Sequence, residues 1–436
     1  MLLYWSECSL DEVGAAMKAV VQPLTLSLLL SGFCLPAYAT NGYFMHSFGV
    51  KAQGNAGTAT AHFQDALSIA SNPAGLSWVN NQLNLGATLF SPDRSAEIKG
   101  NTAGANGQYD GNARRYFVIP EFAYRHAIND QVALGIALYG NGGMNTGYKS
   151  NPFAAFGNQG SAGVNLSQVF VSPAVSWQYT AHQSIGVATN FLYQRFEAKG
   201  LNGFAGFSRD PEHLSNQGAD SAAGIGVRVG WAGKFLDQRL SLGASYASKI
   251  KADRFAEYQG LFADQGNFDV PENYALGIAY KVTPQLTLAA DVQRILYADL
   301  ISVGNRFDIN RLQQGERFGD RQGPGFGWDN INVYKLAVNY QVYPKLLLRA
   351  GYSHSDQPVP ASQSFLNILA PAVVQDHASI GATWEIDAHQ AWSVAYTHAF
   401  EKDLKGNGSI PAAFGGGEAD LKMSQDILGL AYAYQY

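Results

Sequence analysis

The feature that most constrains this chain is an apolar period of two residues that recurs from residue 82 to the end. In 345–355, for example, apolar positions alternate with small or polar ones, and the segments 331–342 and 390–402 do the same. This period is typical of a β-strand with one apolar face. Fourteen such segments can be placed: 82–91, 115–126, 131–140, 165–178, 183–197, 219–234, 239–250, 270–282, 285–301, 331–342, 345–355, 376–386, 390–402 and 425–436.

The connections between these segments alternate strictly between short and long. The short ones hold two to four residues: 127–130, 179–182, 235–238, 283–284, 343–344 and 387–389. The long ones hold 19 to 29 residues: 92–114, 141–164, 198–218, 251–269, 302–330, 356–375 and 403–424. Outer-membrane barrels of bacteria have tight periplasmic turns, long external loops and an even number of strands. The pattern therefore predicts an all-β fold, a 14-stranded antiparallel transmembrane β-barrel over residues 82–436.

Composition narrows the classes of partner. Charged residues make up only 14% of the chain, while glycine contributes 47 residues and tyrosine with phenylalanine another 47. A net charge of −5 offers no basic footprint for nucleic acid, so none is expected as a partner. Both cysteines, Cys8 and Cys34, lie near the N-terminus, so the rest of the chain has no thiol for a disulfide framework or a cysteine metal site.

Residues 1–39 are predicted to be a signal peptide region, with the true start at Met17. Lys18 is followed by the apolar run 24–30 and then by Ala37-Tyr38-Ala39, a small-x-small cleavage site. The alternative is a buried N-terminal helix. No run of about 18 apolar residues follows Thr40, so no transmembrane helix is predicted. We expect export through the periplasm to the outer membrane.

The last strand ends in an alternating apolar pattern that closes on the aromatic Tyr436. This ending is typical of a signal for the outer-membrane assembly machinery, which we expect as a partner. A merely buried last strand is the alternative.

Three blocks near the start carry a resemblance to a known family. They are residues 40–54 (TNGYFMHSFGVKAQG), 64–67 (QDAL) and 71–75 (SNPAG). Weaker matches follow at 137–143, 274–280, 348–352, 356–360 and 426–430. The chain resembles the FadL family of outer-membrane transport proteins for long-chain fatty acids and aromatic hydrocarbons, over essentially all of 40–436.

The resemblance implies that residues 40–81 form a hatch inside the barrel lumen and that a ligand pocket lies beside the N-terminus. It thereby gives Tyr43 and Phe44 a role in ligand binding, and it gives one to Asn72, Pro73 and Ala74 of the third block. Without the family context, Asn-Pro is usually only a turn. The sequence of 40–81, rich in small residues and without a clear period, is compatible with a plug.

A cluster of glycines ends the third predicted strand. Tyr139, Gly140, Asn141, Gly142 and Gly143 follow a strand whose outward side chains are all apolar. Three glycines in four residues weaken a strand ladder and favour a bulge or kink. The resemblance implies that this strand bends inward and opens the wall for lateral exit of the ligand; an ordinary glycine-rich loop start is the alternative.

Two further sets of residues are candidates for ligand binding. Loops 198–218 and 251–269 carry Phe204, Phe207 and Phe262, which would form an exposed apolar capture groove unless the loops pack on each other. The strand parity also directs Arg228 and Arg349 into the lumen, together with Asp291, Lys335 and Glu385. These charges either pair with one another or leave an arginine to hold a carboxylate.

Nothing in the sequence points to catalysis or to a cofactor. The glycines at 224, 226 and 230 depart from the dinucleotide fingerprint, and the nine histidines lack ligand spacing, so no catalytic residue, metal or cofactor is predicted. The expected function is passive transport of hydrophobic small molecules by a monomer in contact with outer-membrane lipid: loop capture, hatch rearrangement and lateral exit. The alternatives are an outer-membrane lipid-modifying enzyme, whose triad could be assembled across the barrel, and a structural or adhesion barrel.

Overall fold

The computed structural model describes residues 41–436, which form a closed antiparallel β-barrel. The strands are β1 Gln82–Lys99, β2 Gly107–Asp110, β3 Phe117–Ala127, β4 Val132–Asn145, β5 Gly163–Thr180, β6 Gln183–Lys199, β7 Asp220–Phe235, β8 Leu240–Ala247, β9 Asn273–Lys281, β10 Leu286–Ile295, β11 Ile331–Tyr343, β12 Leu346–Ser355, β13 Asp376–Glu385, β14 Gln390–Leu404 and β15 Glu418–Gln435. Each strand except the short β2 pairs with its neighbours in chain order, and β15 pairs with β1. Because the sheet closes on itself, its backbone groups can pair within the wall, as a membrane requires.

The fourteen predicted segments correspond to the fourteen barrel strands, with differences at their ends. The predicted signal peptide falls outside the described residues. β1 and β15 pair as far as Lys99 and Glu418, well past the predicted ends at 91 and 425, because backbone pairing continues where the apolar alternation has stopped. β2, within the predicted loop 92–114, pairs with this extension. β10 stops at Ile295 instead of 301, because 297–299 and 301–304 fold into helical turns.

The two faces of the wall differ as the alternation predicts. On β6 the inward residues are buried and include small and polar side chains, whereas large apolar side chains on the outer face are exposed, namely Ile185, Val187, Phe191 and Tyr193. An outward apolar face with an inward polar one is the arrangement of a barrel surrounded by lipid.

Short helices occupy the N-terminal segment and the long loops. The α-helices are α1 Val50–Gln53, α2 Ala263–Gly266, α3 Ile301–Gly304, α4 Ile309–Gln313 and α5 Ser364–Asn367. The 3-10 helices are Ala66–Ala70, Pro73–Trp78, Ala154–Phe156, Asn202–Phe207, Pro211–His213, Ala256–Tyr258, Tyr297–Asp299, Ala361–Gln363 and Ala412–Phe414. Among residues 41–436, none of these helices has the length and apolar character needed to span a membrane.

Residues 41–81, which we call the N-terminal segment, contact the inner face of the wall on several sides. Helix α1 packs against β1 and β13–β15, the 3-10 helix Ala66–Ala70 against β3 and β4, and Pro73–Trp78 against β5–β7. The segment is almost wholly buried and leads directly into β1.

Candidate functional site

Two charged side chains on adjacent strands hold the backbone of the N-terminal segment. Asp291 and Lys335 face each other across β10 and β11. Asp291 Oδ2 accepts hydrogen bonds from the backbone N–H groups of Ala59 and Thr60, both at 2.9 Å. Lys335 Nζ donates to the carbonyl oxygens of His46 and Gly57 at 3.2 and 3.3 Å. These lumen charges therefore satisfy backbone groups that would otherwise be buried without partners.

The two arginines predicted to face the lumen are buried there and bind neutral oxygens. Arg228 donates to the carbonyl of Ser71 at 3.3 Å, and Arg349 Nε donates to Gln64 Oε1 at 2.6 Å. Within residues 41–436 neither guanidinium forms an ion pair. The expected pairing with lumen acids is thus wrong for both arginines. Both contact the N-terminal segment, whereas Glu385 is exposed.

The N-terminal segment is anchored to strands β5–β7 by three residues, Asn72, Pro73 and Ala74. Asn72 Nδ2 donates to the carbonyls of Thr60 and Trp231 at 2.8 and 2.9 Å, and Asn72 Oδ1 accepts from Ala74 N at 3.1 Å. Pro73 opens a 3-10 helix, where its missing N–H costs nothing. The Ala74 carbonyl accepts from two serine hydroxyls of the wall. None of these three residues lines the cavities beside the aromatic residues described below.

The glycine cluster lies where β4, the third strand of the barrel, separates from β3. Pairing between the two strands ends at Phe122 and Leu138, and the register between β4 and β5 shifts between Gly140 and Gly142. Beyond this bulge β3 continues without β4, and Pro120 of β3 has no N–H to donate. The wall thus has a gap in its pairing between β3 and β4.

The N-terminal segment pairs with the free edge of β4 at this gap. Gly143 N donates to the Tyr43 carbonyl at 2.8 Å, and Met45 N donates to the Asn141 carbonyl at 3.0 Å. A Cβ atom at Gly142 would lie 1.9 Å from the Tyr43 carbonyl oxygen, so only glycine fits there. The structure therefore brings the predicted glycine cluster together with Tyr43 and Phe44 of the first family block.

The aromatic residues of the external loops form a buried cluster. Phe204 and Phe262 are only 3% and 4% exposed, so the predicted exposed groove is wrong and the loops pack on each other. Phe207 is half-buried at the edge of the cluster. Eight phenylalanines from five loops are in ring contact: Phe153, Phe156, Phe204, Phe207, Phe307, Phe318, Phe365 and Phe414. The short spacing of aromatics within each loop predicted apolar surface, but not the mutual packing that buries it.

A cavity and a second set of aromatic contacts connect this cluster to the N-terminal segment. A small cavity lies between Phe204 and Phe262. Phe262 contacts Phe268 with ring centroids 4.9 Å apart, and Phe268 contacts Tyr43 at 5.8 Å. Tyr43 also contacts Tyr297 at 5.1 Å and Trp328 at 6.0 Å. Phe268, Tyr297 and Trp328 were missed from sequence. Phe268 and Trp328 lie in predicted long loops, where no period singles them out, and Tyr297 lies in the predicted strand 285–301, which ends at Ile295 in the structure.

We call the series that runs from the loop cavity through Phe262 and Phe268 to Tyr43, Tyr297 and Trp328 the aromatic path. The two tyrosines of this path are uncharged. Burial raises the pKa of both Tyr43 and Tyr297, so their hydroxyls stay protonated at neutral pH. The Tyr297 hydroxyl donates to the Asn41 carbonyl and accepts from Phe44 N at 3.2 Å. The Tyr43 hydroxyl donates to the Asp269 carbonyl at 3.3 Å. These hydroxyls hold the N-terminal segment beside an apolar surface.

Three cavities follow this path, and all of them are small. They measure about 40 Å³ among the loop phenylalanines, about 30 Å³ beside Trp328 and Met144, and about 20 Å³ at the gap between Pro120 and Gly140. An apolar cavity known to bind benzene measures about 150 Å³, several times more than any of the three. The path is therefore closed in this structure, and a ligand must displace side chains to enter it.

Comparison with known proteins agrees with this architecture. Residues 36–436 match the family model described as outer membrane protein transport protein (OMPP1/FadL/TodX). An outer membrane protein of Neisseria meningitidis serogroup B is 24% identical over 94% of this chain and 98% of its own length. Outer membrane protein P1 of Haemophilus influenzae is 22% identical over 85% of this chain and 89% of its own.

Two solved structures share the fold. The toluene transporter TodX of P. putida has a TM-score of 0.65 at 17% identity, covering 90% of this chain and 99% of its own. A FadL homologue of Pseudomonas aeruginosa has a TM-score of 0.68 at 15% identity, with the same coverage. The family model spans all but the first 35 residues, and the barrel belongs in the outer membrane. This chain is therefore a member of the OMPP1/FadL/TodX family of outer-membrane transport proteins.

Proposed function

We propose that this protein carries hydrophobic small molecules across the outer membrane along the aromatic path and releases them sideways through the gap between β3 and β4. The observation that carries the proposal is the meeting of three features at one place. The aromatic path leads to Tyr43, Tyr43 and Phe44 pair with β4, and the wall is unpaired beside them.

Sideways release has a thermodynamic reason. Moving a hydrophobic ligand from an apolar path into water costs about 0.8 kcal/mol for each exposed methylene. A ligand that leaves through the gap passes from apolar side chains directly into lipid and avoids this cost. The cavity at the gap is lined partly by apolar side chains, including Met45, Phe48 and Ile119.

We propose that the N-terminal segment acts as the hatch and that only its first part moves. Residues 49–81 are held by Asp291, Arg228 and the Asn72 contacts. Residues 41–48 depend mainly on the edge of β4, the Tyr297 hydroxyl and Lys335. Displacing 41–48 would free the edge of β4 and widen the cavity beside Trp328 and the cavity at the gap, which are both lined by residues of this part.

The ligand class follows from the lining of the loop cavity, where a ligand would first enter, and from the relatives. The loop cavity is lined mostly by apolar residues, and its side chains include no charged one. One structural relative is named as a toluene transporter and another as a FadL homologue. Aromatic hydrocarbons and long-chain fatty acids are therefore the two candidates to be compared.

The test blocks the gap from outside. Pro120→Cys is expressed in the outer membrane and modified with a bulky maleimide, and uptake of toluene and of oleate is measured before and after modification. Val187→Cys, on the outer face of β6 away from the gap, is the matched control.

We expect modification at position 120 to reduce uptake several-fold, while modification at position 187 leaves it unchanged. Whichever of toluene and oleate shows the blocked uptake identifies the ligand class. Unchanged uptake of both after complete modification at position 120 would exclude lateral release at this gap.

A further inference from the structure

A separate cavity lies at the opposite end of the barrel from the aromatic loops, at the periplasmic mouth. It measures about 620 Å³, within the range of about 300–1,000 Å³ usual for small-molecule sites. Its lining comes from the end of the N-terminal segment, the short turns and the ends of strands: Ser77, Trp78, Val79, Asn80, Asn81, Arg125, Lys234, Gln238, Ala388, His389, Gln435 and Tyr436. Several of these residues are exposed, so the cavity opens to the periplasm.

The charged side chains of this lining are all basic. Arg125 and Lys234 supply the cationic side chains, and no aspartate or glutamate lines the cavity. Within residues 41–436 neither Arg125 nor Lys234 forms an ion pair. A concave site with charges of one sign concentrates ions of the opposite sign.

The basic groups are oriented by neighbouring oxygens and by an indole. Arg125 Nε donates to the Leu76 carbonyl at 3.1 Å, and its Nη1 donates to Asn81 Oδ1. Lys234 Nζ lies 4.6 Å from the centre of the Trp78 ring. The ring is itself fixed, because Trp78 Nε1 donates to Ser184 Oγ at 2.8 Å. The mouth thus offers a fixed aromatic surface next to cations.

We propose that this mouth binds a soluble organic carboxylate that enters from the periplasm, with its apolar body on Trp78 and its carboxylate near Lys234 and Arg125. A carboxylate accepts charge-assisted hydrogen bonds from guanidinium and ammonium groups. The site is separate from the aromatic path and does not depend on transport through the gap.

The test compares two ligands of the same shape. Binding of 4-nitrobenzoate and of 4-nitrobenzyl alcohol to the full-length protein in detergent is followed by quenching of Trp78 fluorescence, taken as the difference from Trp78→Phe. We expect the carboxylate to bind about ten-fold more tightly than the alcohol, and its affinity to fall as salt rises.

Three variants decide the outcome. Lys234→Gln should reduce the preference to about two-fold or less by removing the ammonium. Lys345→Gln removes a periplasmic lysine that donates a hydrogen bond to the Ile386 carbonyl outside the cavity. It should leave the preference for the carboxylate unchanged. Gly142→Val, which alters the aromatic path, should leave binding at the mouth intact. Equal binding of both ligands, an unchanged preference in Lys234→Gln, or loss of binding in Gly142→Val would overturn the proposal.

Discussion

At the scale of single residues, Gly142 controls whether the N-terminal segment can pair with β4. Its missing side chain leaves room for the Tyr43 carbonyl, which would otherwise lie 1.9 Å from a Cβ atom. The contact is with backbone, which cannot rotate away as a side chain can. Any larger residue must therefore move residues 43–45 or the bulge itself.

Gly142→Val should hold the path open. Loss of the two backbone hydrogen bonds between the segment and β4 weakens that pairing by about 2 kcal/mol, or about thirty-fold in the population of the displaced form. Uptake of toluene or oleate by cells carrying the variant should rise several-fold. Gly206→Val is the control, because Gly206 is exposed and a Cβ atom there would meet no other atom within 4 Å. Wild-type uptake in Gly142→Val would show that this pairing does not gate the path.

A second prediction at this scale concerns the effect of pH on the packing of the N-terminal segment. Burial, with Arg349 and the lysines 281 and 234 nearby, lowers the pKa of His62 from 6.5 to about 4. His62 lies in residues 49–81, which stay packed in the proposed transport movement, so its titration concerns release of the whole N-terminal segment by acid. Above pH 6.5 the histidine is neutral whether the segment is packed or released. Between pH 6.5 and about 4, only the released form takes up a proton, so packing weakens by at most about 1.4 kcal/mol for each pH unit.

Ion conductance of the protein in planar bilayers should therefore rise as pH falls through that window. His62→Gln should flatten the rise, leaving the part due to His46, whose pKa burial also lowers. His126→Gln, at an exposed histidine, should retain the wild-type profile. A conductance independent of pH in the wild-type protein would contradict the prediction.

At the scale of elements, the sequence predicted the positions of the strands better than the distant segments that contact them. The period of two located all the barrel strands, and the glycines of 140–143 located the bulge, because both are local properties. The pairing of β4 with Tyr43 could not be predicted, because it joins residues about a hundred positions apart. For the same reason the loop phenylalanines were recognised as apolar but not as a buried cluster.

The link between strands β10 and β11 and the N-terminal segment gives a prediction at this scale. Asp291→Ala removes the acceptor of two backbone hydrogen bonds, each worth about 1.5–3 kcal/mol when the acceptor is charged. The segment should open more often and expose Lys51, the one trypsin site within 41–81. Cleavage after Lys51 should accelerate at least ten-fold while the barrel stays folded. Asp130→Asn, in an exposed turn, should be cleaved at the wild-type rate, and equal rates for both variants would count against the anchor.

At the scale of the whole molecule, the alternation of connection lengths assigns the two sides of the membrane. The turn at Pro284 belongs to the short side, and Gly206 and Gly315 are exposed in long loops. Epitope tags inserted at Gly206 or Gly315 should bind antibody on intact cells, and a tag at Pro284 should bind only after the outer membrane is permeabilised. Antibody binding at Pro284 on intact cells would invert the orientation.

Because the N-terminal segment runs directly into β1, it is joined covalently to the wall that it fills. A separate stopper would diffuse away once released, but a tethered one stays at an effective concentration on the order of millimolar beside its own binding site. Under the proposed hatch movement, each opening would be followed by rapid intramolecular rebinding. A cell could then carry a wide barrel in its outer membrane without a lasting leak, because every protein molecule would carry its own hatch.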